Sequence, residues 1–150
     1  MIVELATKEI FNDWIELARE VEPLFQGSMA ENEEFHNFMF NTIEKGQAFI
    51  IHEPNTKKLM GLITISTNKN EITWFAVAKE YRGMGIGSKL LEYAINKLND
   101  KEEIRVITFR KDYKEGIPAR RIYEKFGFKD FNDNIFFDGH PRSLMKRLKK

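Results

Sequence analysis

Between an aromatic and β-branched stretch ending at Ala78 and an amphipathic helical stretch lies Arg82-Gly83-Met84-Gly85-Ile86-Gly87. Three alternating glycines let a backbone approach a ligand without Cβ obstruction and turn successive N–H groups inward. A helix that starts in such a loop adds its positive end, so the segment suits a phosphate. Arg82 offers a forked pairing to phosphate that lysine cannot copy. Two nucleotide motifs are excluded by spacing. The dinucleotide fingerprint needs G-x-G-x-x-G, whereas this loop reads G-x-G-x-G, and a Walker loop ends Gly-Lys-Ser/Thr where this chain has Gly87-Ser88-Lys89. On these residues alone, a flexible strand-to-helix turn without a ligand stays open.

The pattern on either side of the loop predicts a mixed chain of strands and helices. Ile2 to Leu5 reads as a short strand, and Ile10, Trp14, Leu17, Ala18 and Val21 recur at helical spacing up to Pro23. Phe35, Phe38, Met39, Thr42 and Ile43 mark a second helix stopped by Gly46. Strands follow over residues 47–52, 58–67 and 71–78, with turns at Pro54-Asn55-Thr56 and Asn68-Lys69-Asn70. The third is apolar on both faces, as a central strand covered on each side should be. Ile86, Leu90, Leu91, Ala94, Ile95 and Leu98 form one helical stripe. A strand over 104–109, a helix over 119–126 and a closing antiparallel pair over 128–131 and 135–145 complete the order.

With 150 residues the chain has the size of one domain with one core. Its formal charge of +1 gives no global field toward nucleic acid or an anionic membrane, so binding must come from a local site. Cysteine is absent, which removes a disulfide framework, a thiolate zinc site and a thiol acyl carrier. His36, His52 and His140 are too scattered for a metal site, and none is expected. Charge follows Met1-Ile2-Val3 at once, and no apolar run approaches membrane-spanning length, so a cytoplasmic protein is expected. The basic tail of Lys146, Arg147, Lys149 and Lys150 has no interleaved aromatics and reads as a solvated terminus.

Arg82 to Gly87 resembles the Arg/Gln-x-x-Gly-x-Gly/Ala signature of the GNAT superfamily of acyl-CoA-dependent N-acetyltransferases. Ala119-Arg120-Arg121-Ile122-Tyr123-Glu124-Lys125-Phe126-Gly127-Phe128 is similar to the segment that closes the cofactor site in that family, and Trp74 to Tyr81 to the strand and turn before its loop. The resemblance covers about Glu71 to Phe128. It implies a mixed, mostly antiparallel six- to seven-stranded α/β (α+β) sheet flanked by about four helices and splayed at the CoA site. It implies acetyl-CoA as donor, held by Phe75, Ala76, Val77, Arg82, Gly83, Met84, Gly85, Ile86, Gly87, Ser88 and Ala119.

Acetyl transfer to an amine requires loss of the ammonium proton, stabilisation of an oxyanion and protonation of the departing thiolate. The resemblance assigns the last step to Tyr123, although its place on the stripe of Ala119 and Phe126 also fits plain packing. Glu71, eleven positions before Arg82, matches the catalytic glutamate of the histone-acetylating branch, while a glutamate at a strand entrance is also commonly solvated. Where the family often carries Asn seven residues before the tyrosine, this chain has Gly116. The acceptor expected is a primary amine on a small molecule or peptide, acetylated directly in a ternary complex. Glu16, Glu20, Glu22, Glu31, Glu33 and Glu34 hint at a cationic acceptor, with solvated helix faces as the plainer reading. No nucleic acid or membrane partner is expected, and a homodimer is left open. The rival class is a non-catalytic acyl-CoA-binding sensor or scaffold, which needs neither Tyr123 nor Glu71.

Overall fold

The computed structural model describes residues 1–148. The elements are β1 (Glu4–Leu5), α1 (Phe11–Phe25), α2 (Glu33–Glu44), β2 (Ala48–His52), β3 (Leu59–Ser66), β4 (Glu71–Val77), α3 (Ile86–Lys97), β5 (Ile104–Thr108), α4 (Ile117–Lys125), β6 (Phe128–Phe137) and β7 (His140–Arg147). The strands form a seven-stranded sheet in the order β1-β2-β3-β4-β5-β7-β6. Every neighbouring pair is antiparallel except β4 and β5. No helix among the described residues is long and apolar enough to cross a membrane.

Side-chain alternation sends each central strand's residues to two cores. Phe49 and Ile51 of β2 pack with Leu90, Leu91 and Ala94 of α3, and with Tyr123 of α4. Ala48 and Ile50 pack on the other face with Trp14, Leu17 and Val21 of α1, and with Met39 and Ile43 of α2. Nearly all of β3 is buried as a result, in keeping with its near-continuous apolar sequence, in which Thr64 is the one buried polar side chain.

The feature that positions the site is a bulge in β4. Ile65 pairs with Ile72 but Thr64 pairs with Trp74, which leaves Thr73 as an extra residue. A bulge bends and twists its strand and changes which face later side chains take. Ile72 and Phe75 therefore share one core, although three positions separate them, while Trp74 and Ala76 face the other. The parallel partner leaves at the same place: β5 is registered with β4 only at Glu71 and Ile72. Asn70, at φ 52°, latches the closed end. Its side-chain amide donates to the carbonyls of Asn99 and Glu103, both at 2.9 Å, and its Oδ1 accepts from the Asn99 N–H at 2.8 Å.

Three sequence expectations need correction. Helix α1 does not end at Pro23 but runs through it to Phe25, with Gln26 left-handed at φ 62° as its cap. Tertiary contacts offset the hydrogen bond that proline cannot donate. The Tyr113 hydroxyl donates to the Leu24 carbonyl at 3.0 Å and the Arg142 guanidinium to the Phe25 carbonyl at 2.6 Å. The final strand pair is also displaced from 128–131 and 135–145. Phe137 pairs with His140 across Asp138-Gly139, at φ 56° and 76°, a two-residue hairpin turn with both residues left-handed. Asp-Gly is the sequence signal for that turn. Finally, Lys146 and Arg147 are not a solvated tail: Lys146 pairs with Glu103 at 3.0 Å, and the Arg147 Nε donates to the Phe126 carbonyl at 2.8 Å. Lys149 and Lys150 lie outside the described residues.

The acidic residues of α1 and its connection to α2 are mostly engaged in holding the fold. The Glu22 carboxylate accepts from the N–H groups of Met29 and Ala30 at 2.6 and 2.7 Å. Glu20 accepts from the Lys79 N–H at 2.8 Å, and Glu31 pairs with Arg19 at 2.9 Å. Glu33 and Glu34 occupy the first turn of α2, where the helix dipole favours them. The two backbone N–H donors hold the Glu22 carboxyl below the usual carboxylate range. Its contribution is therefore complete above the ordinary carboxylate pKa and fades as pH falls through the lowered value. Glu22→Ala is expected to cost about 2–3 kcal/mol at pH 7. Urea melts of both proteins should show that gap narrowing at pH 3, and a gap unchanged with pH would show that the charge is idle.

Candidate active site

Beyond Ile72, β4 has no strand partner on its β5 side, and a cavity of about 400 Å³ opens there. Phe75, Ala76 and Val77 supply its β4 wall, and the loop contributes Arg82, Gly83, Gly85, Ile86, Gly87 and Ser88. Pro118, Ala119 and Ile122 of α4 close one side. Val21, Leu24 and Phe25 of α1, with Phe109 after β5, form a further apolar wall. Of the cofactor residues expected from the sequence, the cavity gathers all but Met84, whose side chain is exposed.

The three glycines serve two needs. Gly83 and Gly85 are left-handed at φ 81° and 80°, and a Cβ at either would meet nothing within 4 Å. Conformation, with open space beside it, explains them. Gly87 has an ordinary φ, but a Cβ there would lie 2.9 Å from Ile122 Cδ1 and 3.4 Å from Phe75 Cζ. Close approach of α3 to β4 and α4 explains that one. Among the described residues, the backbone N–H groups from Gly83 to Ser88 have no protein acceptor; the first helical bond is Lys89 N–H to the Gly85 carbonyl at 3.1 Å. These donors converge at the start of α3, where its dipole is positive. Arg82 Nε donates to the Val77 carbonyl at 3.2 Å, fixing the side chain at the mouth. Lys125 reaches Ser88 Oγ at 3.4 Å and adds a second positive charge, which the sequence reading did not assign to the site.

The two proposed catalytic side chains lie behind the cavity surface. Tyr123 is 4 % exposed, edge-on to Phe75 at 5.9 Å and to Phe128 at 5.5 Å between ring centroids. Burial pushes its phenol far above the usual tyrosine value, so the ring keeps its proton. Glu71 sits at the closed end of the splay, half-buried beside Arg105. Burial raises its carboxyl above the usual range, against the opposing pull of Arg105 and Lys69. At about 3.3 Å per residue it stands roughly 13 Å along the strand from Phe75. The carboxylate that does reach the cavity is Glu115, in a stretch of sequence without a motif. Gly116 is there for packing, since a Cβ would lie 2.3 Å from Phe109 Cβ, so an asparagine side chain has no room.

Comparison with known proteins agrees with this geometry. The family described as acetyltransferase (GNAT) domain matches residues 17–149. The chain belongs to the GNAT acetyltransferases. An acetyltransferase of that family from Staphylococcus aureus Mu50 superposes with a TM-score of 0.76 at 19 % identity, covering 99 % of both chains. The PaiA N-acetyltransferase of Thermoplasma acidophilum, solved with coenzyme A, gives 0.70 at 21 % identity over 98 % of each. Such likenesses carry the fold. The probable spermine N(1)-acetyltransferase of Bacillus subtilis subsp. natto is 35 % identical over 84 residues, 54 % of this chain and 53 % of that protein. The chain thus spans about half the length of the curated relatives it matches.

For a GNAT protein, the donor groups of the loop should account for much of the CoA affinity. Gly85→Val forces a branched residue into a left-handed conformation and turns the N–H cradle. With about two or three hydrogen bonds lost at roughly 1 kcal/mol each, CoA affinity is expected to fall about 30- to 150-fold. Calorimetry on the folded variant measures it, and unchanged affinity would remove the loop from the cofactor site.

Proposed function

We propose that this protein transfers acetyl from acetyl-CoA directly to a primary amine of a small molecule or peptide. The observation that carries the proposal is the union, in one cleft, of the unpaired edge of β4 with the free N–H groups of the glycine loop. The residues fit the donor. The open space beside Gly83 and Gly85 and the charges of Arg82 and Lys125 suit a pyrophosphate, and the gap beyond Ile72 suits an extended arm lying where a strand would pair. When bound, acetyl-CoA supplies the thioester to be cleaved.

The chain's own groups supply the rest. Backbone N–H donors on the freed edge of β4 near Phe75, Ala76 and Val77 orient the thioester carbonyl and stabilise charge on its oxygen. Tyr123 holds a proton on its hydroxyl through the neutral range and delivers it to the leaving sulfur, a role to which a phenol, with an ordinary pKa of about 10, is suited. Two carboxylates compete for the proton of the incoming ammonium. Burial raises the Glu71 carboxyl above the usual carboxylate range, which favours proton uptake, whereas Glu115 lies in the cavity wall. No cysteine is present to carry acetyl between the two substrates, which supports direct transfer. The names of the Bacillus subtilis relatives put spermine and spermidine on the acceptor panel.

Tyr123→Phe keeps both aromatic contacts, so CoA should still bind while kcat falls roughly 100-fold. Because burial raises the phenol's pKa, the alkaline limb of wild-type kcat should begin above the usual tyrosine range and change shape in the variant. Wild-type kcat under conditions where chemistry limits the rate would return Tyr123 to packing alone. For the base, Glu115→Gln and Glu71→Gln should be compared over pH. The larger loss on the acid limb of kcat/KM is expected from Glu115→Gln, since Glu71 stands at the closed end of the splay. The reverse order would establish Glu71. Release of free CoA on a panel of amines tests the function itself, and CoA binding without turnover of any amine would favour the sensor or scaffold class.

A further inference from the structure

A second recess, of about 270 Å³, lies against the apolar wall of the cleft and is lined by Gln26, Arg110, Asp112, Tyr113, Pro141 and Arg142. The partition between the two spaces is aromatic: Phe25 and Phe109 both line the cleft and stack at 5.1 Å between centroids. Phe109 packs in turn against Tyr113 at 5.6 Å and under the Arg142 guanidinium at 5.6 Å. Gln26 follows Phe25 and Arg110 follows Phe109 in the chain, so an acceptor reaching past this wall meets the recess.

The recess is positive and incompletely paired. Arg142 is 6 % exposed, yet its hydrogen bonds go to neutral oxygens, the Phe25 carbonyl at 2.6 Å and Gln26 Oε1 at 3.5 Å. Among the described residues no carboxylate lies within salt-bridge distance of it. Asp138 acts on it only as a more distant charge; a buried guanidinium without a direct ion pair is costly, and an arriving anion offsets that cost. Arg110 touches Asp112 only through Nε at 3.7 Å, and that carboxylate is 74 % exposed. Its two Nη groups remain for a forked contact. The acids of α1 and the α1–α2 connection do not neutralise this surface, since Glu20, Glu22 and Glu31 are engaged elsewhere.

We propose that Arg110 and Arg142 receive an anionic group, a carboxylate or phosphate, borne by the acceptor, so that the preferred substrate is an amine carrying an acid rather than a polycation. The proposal rests on the acetyl-transfer reading and names its substrate class. The part of the acceptor between amine and acid lies against Phe25 and Phe109 and is correspondingly apolar. Arg142 also caps the end of α1, so the test uses Arg110, whose side chain is one-third exposed and carries no such role.

The experiment compares acceptors of equal chain length: an ω-aminocarboxylate, an aminoalkyl phosphate, an alkylamine and spermidine. The acid-bearing amines are expected to show kcat/KM about tenfold or more above the others, and whichever of the two is better identifies the anion. Arg110→Gln should shrink that preference about tenfold through the acceptor KM, and Arg110→Lys should restore part of it. Preference for spermidine or the alkylamine, or a preference unmoved by Arg110→Gln, overturns the proposal while leaving acetyl transfer standing. If no amine is acetylated, the function falls separately, and calorimetric titration of the two acids into the CoA complex decides the recess. Binding weakened about tenfold in Arg110→Gln supports it, and equal or absent binding overturns it.

Discussion

The site depends on how two neighbouring strands are joined at one end and kept apart at the other. Asn70, in a left-handed conformation that few side chains tolerate, uses its amide to bind the backbone on both sides of the approach to β5. Two registered residues later the extra Thr73 bends β4 away, and its hydroxyl is held by Thr64 across the strand pair at 2.7 Å. The latch and the bulge do together what neither does alone. The latch prevents the strands from separating along their whole length, and the bulge prevents them from pairing along it.

A sheet edge in the middle of a fold is a strong demand for a ligand. Backbone donors and acceptors freed from a ladder must find partners or water, and a cleft walled by Phe75, Val77, Phe25 and Phe109 offers little to either. The glycine loop extends the same logic, presenting a run of unpaired N–H groups at a helix start. Binding specificity for the donor thus resides largely in backbone, and this is why only a few side-chain identities are needed to mark it. Acceptor choice is different. On the proposal made above it lies with side chains from α1, the stretch after β5 and β7, which hydrogen bonds from Tyr113 and Arg142 to the last carbonyls of α1 hold together.

Burial divides the candidate catalytic groups by task. The phenol of Tyr123 is buried in an apolar core, edge-on to Phe75 and Phe128, which favours its neutral form and suits a donor of a proton. Carboxylates at the two ends of the splay meet different surroundings: Glu71 is half-buried beside Arg105, and Glu115 is exposed at the cavity rim. Their environments, more than their positions in a motif, set which can accept a proton from an ammonium.

The sequence by itself determined the order of elements, the two-sided burial of the central strands and the place of the donor loop. These follow from local patterns: alternation, helical periodicity, and glycines whose spacing has few other uses. It also held the Asp138-Gly139 hairpin signal, which a strand expected over residues 135–145 ran straight through. Only the tertiary structure decided the continuation of α1 through Pro23, because the stabilising partners, Tyr113 and Arg142, are distant in the chain. The same holds for the parity change at Thr73, which depends on β3, and for the use of Glu22 as an anchor for Met29 and Ala30. A carboxylate reads alike in sequence whether it faces solvent, a substrate or two backbone N–H groups. What separates those cases is geometry between residues far apart in the chain, and local patterns carry no record of it.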